Sequence, residues 1–111
     1  MAHGEVTAKY KTALHLKLVD AAVAVIDGVW MDAGLYELGK FDISGISNAT
    51  VTINGSNDAA KPADATHGRV LGTATADGFV EILVMPRWIK ARVSVWVAGT
   101  ISVLAMLRTA R

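Results

Sequence analysis

The chain has no cysteine. That excludes disulfides, thiolate metal sites and cysteine nucleophiles, and leaves the redox compartment open. The N-terminal stretch M-A-H-G-E-V-T-A-K-Y-K has no basic segment followed by an apolar run, so it does not read as a secretory signal. No run is suited to crossing a membrane as a helix. The longest uncharged apolar-rich stretch, residues 93–107, has fifteen residues, where a spanning helix needs about 20. It is also β-branched and broken at Gly99-Thr100. Phosphate-binding glycine loops, dinucleotide fingerprints and nucleophile elbows are all missing. The sequence therefore carries no catalytic signature and no cofactor motif.

Acids are missing from the last quarter. Residues 85–111 hold five basic residues (Arg87, Lys90, Arg92, Arg108, Arg111) and no Asp or Glu. Residues 1–84 hold six basic and ten acidic residues, a net charge of −4. The whole chain carries only +1, so bulk attraction to nucleic acid is not implied. A molecule split in this way can dock in a set orientation against a charged surface. The plainer alternative is a set of solvated strand ends.

Apolar residues are in surplus. Counting glycine but not tyrosine, they make up about 59% of the 111 residues, against roughly 45–50% in ordinary domains. At this length the chain forms one domain with one core. Alanine, with eighteen copies, accounts for part of the excess. The rest points to apolar surface buried against other chains.

What remains reads as β-structure. Ile89, Ala91, Val93, Val95 and Val97 share one parity, and Trp88, Lys90, Arg92, Ser94 and Trp96 the other. After Ala98-Gly99-Thr100 the alternation resumes through Ile101, Val103, Ala105 and Leu107. Period two marks paired strands with one buried face, and the Gly-Thr break predicts a closing hairpin. Leu14, Leu16 and Leu18 mark an earlier strand, with Val23 and Val25 continuing the alternation. Residues 36–43 read as a weaker strand interrupted at Gly39, and residues 48–54 as a clean one. Residues 55–68, rich in Gly, Asn, Asp and Ser, form a surface loop of unusual length. Asp77-Gly78, flanked by apolar runs at 69–76 and 79–84, is a strong hairpin signal. Pro86 closes the second run. The expectation is an all-β chain, a jelly-roll-like antiparallel β-sandwich of about eight strands. Residues 1–12 are expected as an arm that orders on contact, and residues 13–111 as the single domain.

Candidate sites are few. His3, His15 and His67 lack a second ligand at zinc-like spacing, so no metal is expected. The acid pairs Asp27/Asp32, Glu37/Asp42 and Asp58/Asp64 sit at turns or strand ends, where Asp is common without catalysis. Asn57, Asp58 and Asp64 lack the regular spacing of a calcium loop. The sharper candidates for a partner interface are Trp88, Lys90, Arg92 and Trp96, an aromatic pair with basic neighbours on one parity. Such a face can anchor a protein, stack a sugar or base, or form a second core layer.

Four segments carry a resemblance: F-D-I-S-G-I at 41–46, A-T-V-T-I-N-G-S-N-D at 49–58, L-G-T-A-T-A-D-G at 71–78 and R-W-I-K-A-R-V-S-V-W-V-A-G-T-I-S-V at 87–103. Together they make the chain resemble the capsid decoration, or cement, proteins of short-tailed enterobacterial phages. The resemblance spans residues 40–108 and rests on strand and turn patterns. It implies a jelly-roll-like sandwich on the outer surface of the capsid shell. It also implies a homodimer that staples neighbouring major capsid protein subunits without covalent bonds, with no enzyme activity, cofactor, nucleic acid or membrane partner. The virion would then be its location and the host cytoplasm its place of synthesis. The sandwich of that family is similar to carbohydrate-binding modules, so a host-surface glycan binder stays open, as does a tail or baseplate adaptor.

Overall fold

The computed structural model describes residues 3–9 and 12–109. Eight strands form one antiparallel sheet, and no helix occurs among the described residues. They are β1 (Glu5–Lys9), β2 (Ala13–Ala22), β3 (Ile26–Asp27), β4 (Met31–Asp32), β5 (Leu38–Ser56), β6 (Arg69–Ala74), β7 (Gly78–Ile82) and β8 (Trp88–Arg108). The main path through the sheet is β1-β2-β8-β5-β6, with β3 and β4 on β8 and β7 on β5. The expected class, an all-β antiparallel sandwich, is what the chain forms.

The sandwich is one sheet folded over itself. β5 has 19 residues and β8 has 21, far beyond the usual five or six. Their two ends have different neighbours. Residues 101–108 of β8 lie between β2 and the first part of β5, and β7 covers the far side of that part. Residues 88–93 of β8 lie between β3/β4 and the last part of β5, and β6 covers that part. Leu14, Leu16, Phe41, Ile43, Val103 and Leu107 from one half share a single buried cluster with Val51, Ile53, Ile89, Ala91 and Val93 from the other. A flat sheet could not bury that face, so the halves must lie against each other.

The corner is made by glycines and bulges. Gly45 on β5 has φ 83° and Gly99 on β8 has φ 124°, values that L side chains rarely adopt. The β5–β8 register slips four times between Ser44 and Val51. Bulges of this kind bend a strand and raise its twist. The third long segment bends at the same level. β6 pairs with residues 51–55 of β5 and β7 with residues 39–43, so both run along β5 in one direction. Between them Asp77 accepts a hydrogen bond from the Ile46 amide at 2.8 Å through Oδ1.

Three sequence expectations are corrected by this corner. Asp77-Gly78 is a bend within a continuing strand path, because its flanks pair with β5 and not with each other. Gly99-Thr100 is also no hairpin, since β8 bends there but continues as one strand. The segments expected at 36–43 and 48–54 are not separate strands: residues 38–43 and 48–54 belong to one strand, β5, which begins at Leu38. A glycine with positive φ suits a turn and a bulge equally well, and only the partner strand decides between them. The expected arm includes a strand. Residues 5–9 form β1 and pair with β2, and Gly4 donates its amide to the Leu18 carbonyl at 3.2 Å. Residues 1, 2, 10 and 11 of that arm lie outside the described residues.

Candidate functional site

The four residues singled out on β8 do not share one face. Register explains why. Val51 pairs with Val93 and Ala49 with Trp96, two residues of β5 against three of β8. The extra residue is Ser94, whose hydroxyl donates to the Thr50 carbonyl at 3.3 Å. One inserted residue sends every following side chain to the opposite side. Trp96 therefore turns inward and packs against the core, and its Nε1 donates to the Gly99 carbonyl at 3.0 Å. Val95 and Val97, expected in the core, are instead 50% and 60% exposed.

Trp88, Lys90 and Arg92 remain on the outer side of β8, across from Ser56, Asn54 and Thr52 of β5. This face is not open. Residues 57–68 fold back across it, and side chains of β5, β8 and the β3–β4 connection donate to the loop's backbone oxygens. Trp88 Nε1 reaches the Asp58 carbonyl at 3.0 Å, Trp30 Nε1 the Ala63 carbonyl at 3.1 Å, and Asn54 Nδ2 the His67 carbonyl at 2.8 Å. Lys90 sits at the centre with 0% exposure. Its Nζ donates to the Asp64 carbonyl at 2.7 Å and the Thr66 carbonyl at 2.6 Å. The same nitrogen lies 4.9 Å from the centre of the buried Trp30 ring. Two carbonyls and a π face thus replace water around the ammonium. Burial pushes the Lys90 pKa below the usual lysine value and Arg92 adds to this, while Asp27 and Asp64 oppose it.

Charges ring this buried centre. Asp27 on β3 accepts from Arg92 Nε, and His67 of the loop approaches the same carboxylate oxygen at 3.5 Å. Burial alone would raise the Asp27 pKa, but the Arg92 hydrogen bond and charge, with Lys90 and His67, hold it below the ordinary value of 3.8. Asp32 accepts from the Gly34 amide at 2.9 Å and from Arg87 Nε at 3.1 Å, and its pKa is lowered by that amide first and by Arg87 second. A carboxylate lowered on folding stabilises the fold above its unfolded pKa and loses that contribution as pH falls through the folded one. Stability is therefore expected to hold at neutral pH and to decline below about pH 4. Asp27→Asn should flatten that decline in urea melts taken between pH 6 and pH 2.5. A variant whose decline matches the parent's would place the acid sensitivity elsewhere.

The remaining candidates are scattered. His3 Nδ1 accepts from the Asp20 amide at 2.9 Å. Asn57 Oδ1 accepts from the Arg87 amide at 3.0 Å, so this loop residue ties the loop to the residue just before β8. Among the described residues no group of three or more His, Asp or Glu side chains could hold a metal ion. The burial of Trp30 and Lys90 escaped sequence reasoning. Trp30 follows a turn signal, and its partners lie more than thirty residues away along the chain. No protein-family model matches the chain, and comparison with the curated proteins and with the solved structures gives no significant match.

Proposed function

We propose that this chain is a phage capsid decoration protein that binds the outer surface of the major capsid protein shell and stabilises it without covalent bonds. The observation that carries this reading is the spread of large apolar side chains over the outside of the domain. Leu35 is 77% exposed and Val84 84%, and Val70, Phe79, Leu83 and Val97 are also exposed. Scattered singly, such residues are ordinary. Here Val70 and Phe79 lie on β6 and β7, Leu35, Leu83 and Val84 in the connections between strands and Val97 on β8, and Lys40 Nζ lies 4.7 Å from the Phe79 ring centre. Edges and apolar rims serve a protein whose work is adhesion. In this reading the role is structural, with no catalytic step, and the protein acts as a homodimer on the virion surface. Many modest contacts repeated over a shell would make detachment rare.

The glycan-binding alternative needs Trp88 and Trp96 as one stacking platform. The bulge at Ser94 places them on opposite sides of β8, and the Trp88 indole is tied to the loop through Asp58. No observation in the fold favours a sugar site over a protein contact.

The test is cosedimentation with purified, undecorated capsids of a short-tailed enterobacterial phage. The expected result is saturable retention and a higher melting temperature of the shell. A chain that stays in the supernatant at micromolar concentration, and sediments alone as a monomer, would remove the reading.

A further inference from the structure

The sandwich is not closed on the side of β1. Among the described residues this strand pairs only with β2, so its outer edge presents backbone donors and acceptors that no described strand takes up. Beside it lies a cleft of about 270 Å³ lined by Val6, Lys9, Leu14, Leu16, Met31, Asp32, Leu35 and Tyr36. Leu14, Leu16 and Tyr36 are buried core residues, so the cleft opens onto the core. Its rim is apolar and exposed: Leu35 protrudes, and Val6 is 49% exposed. Two charges line it. Asp32 is already held by Arg87. Lys9 makes no ion pair among the described residues.

We propose, building on the shell-binding reading above, that the β1 edge and this cleft take an extended segment of the partner protein as an added strand. The partner strand would set a large apolar side chain in the cleft and a carboxylate against Lys9. Strand addition draws affinity from main-chain hydrogen bonds and specificity from pockets for alternate side chains, and both parts are present here. A second copy of β1 fits less well. Antiparallel self-pairing about Thr7 would bring Glu5 against Lys9, but only Ala8 against Val6, which leaves the cleft unfilled. The bulge between Val6 and Ala8 also interrupts a self-paired ladder.

Hydrogen exchange, read by mass spectrometry on the free chain and on the chain retained by undecorated capsids, tests this. The expected result is slowing of the residue 5–9 amides by at least tenfold on the shell. Val6→Asp and Lys9→Glu should each weaken retention about tenfold while the free variants melt like the parent. Retention with unchanged exchange at residues 5–9 would overturn the inference and leave the shell reading standing. So would equal protection in a free dimer, since a second copy would then hold the edge. If the parent is not retained at all, the shell reading fails, and the edge is read with a synthetic strand of sequence T-L-T-V-D-L-T. Binding that is lost in Val6→Asp would keep the edge site. Absence of binding at millimolar peptide would remove it.

Discussion

Alanine at Gly45 is expected to cost about 3–5 kcal/mol, a large share of the roughly 5–15 kcal/mol that holds a small domain folded. Two effects add. The backbone at Gly45 has φ 83°, where a Cβ is strained by about 1–2 kcal/mol. A Cβ there would also stand 1.7 Å from the Thr100 carbonyl oxygen. That neighbour is backbone and cannot rotate away. It belongs to the stretch where β5 and β8 turn the corner together, since a Cβ on Gly99 would meet the Gly45 carbonyl oxygen at 2.4 Å. Relief therefore means opening the corner that holds both layers. Gly78 is the control, with φ 152° and nothing within 4 Å of where a Cβ would stand. Gly78→Ala carries strain without a clash and should cost only about 1–2 kcal/mol. Urea melts of the two variants separate the effects. Equal losses would mean that the close approach at the corner contributes nothing.

Methionine at Lys90 is expected to cost about 2–4 kcal/mol and to release the loop at residues 57–68. Methionine nearly matches the length of lysine but donates no hydrogen bond. The Asp64 and Thr66 carbonyls lose their donor, and the Trp30 ring loses its cation. Replacing a buried charge by an apolar side chain can be neutral where the whole ionic group is exchanged. Here only the donor is exchanged, and the two loop carbonyls that it joined are left without it. Without the Lys90 ammonium to hold Asp64 and Thr66 the loop is freer to lift, so proteolysis should cut first between Asn57 and Gly68. Limited digestion beside a urea melt reads both consequences. A variant that melts like the parent and keeps its loop intact would show that Lys90 is a tolerated burial and not the anchor.

Much of the framework was legible along the chain. Alternation at 14–18, at 49–53 and from 101 to 107 placed core residues that are buried in the fold. The composition of residues 55–68 placed the long surface loop, except that Gly55 and Ser56 end β5 and the loop starts at 57. These readings are local: the side chain's parity and the turn residues' preferences need no partner to be seen. The candidate site was less legible. Trp88, Lys90, Arg92 and Trp96 formed one face only while the alternation was assumed unbroken.

The sequence by itself determined the class, most of the inward-facing residues and the absence of cysteine chemistry. The tertiary structure decided the rest. A glycine within an apolar run is a turn if the chain pairs with itself and a bend if a third strand continues past it; β5 made Gly99 a bend. Parity survives only until a bulge, and the partner strand placed one at Ser94. Lysine belongs in water by its own chemistry, and Lys90 leaves it because a loop more than twenty residues away supplies two carbonyls to its ammonium. Each of these outcomes depends on groups distant in sequence, which no local pattern encodes.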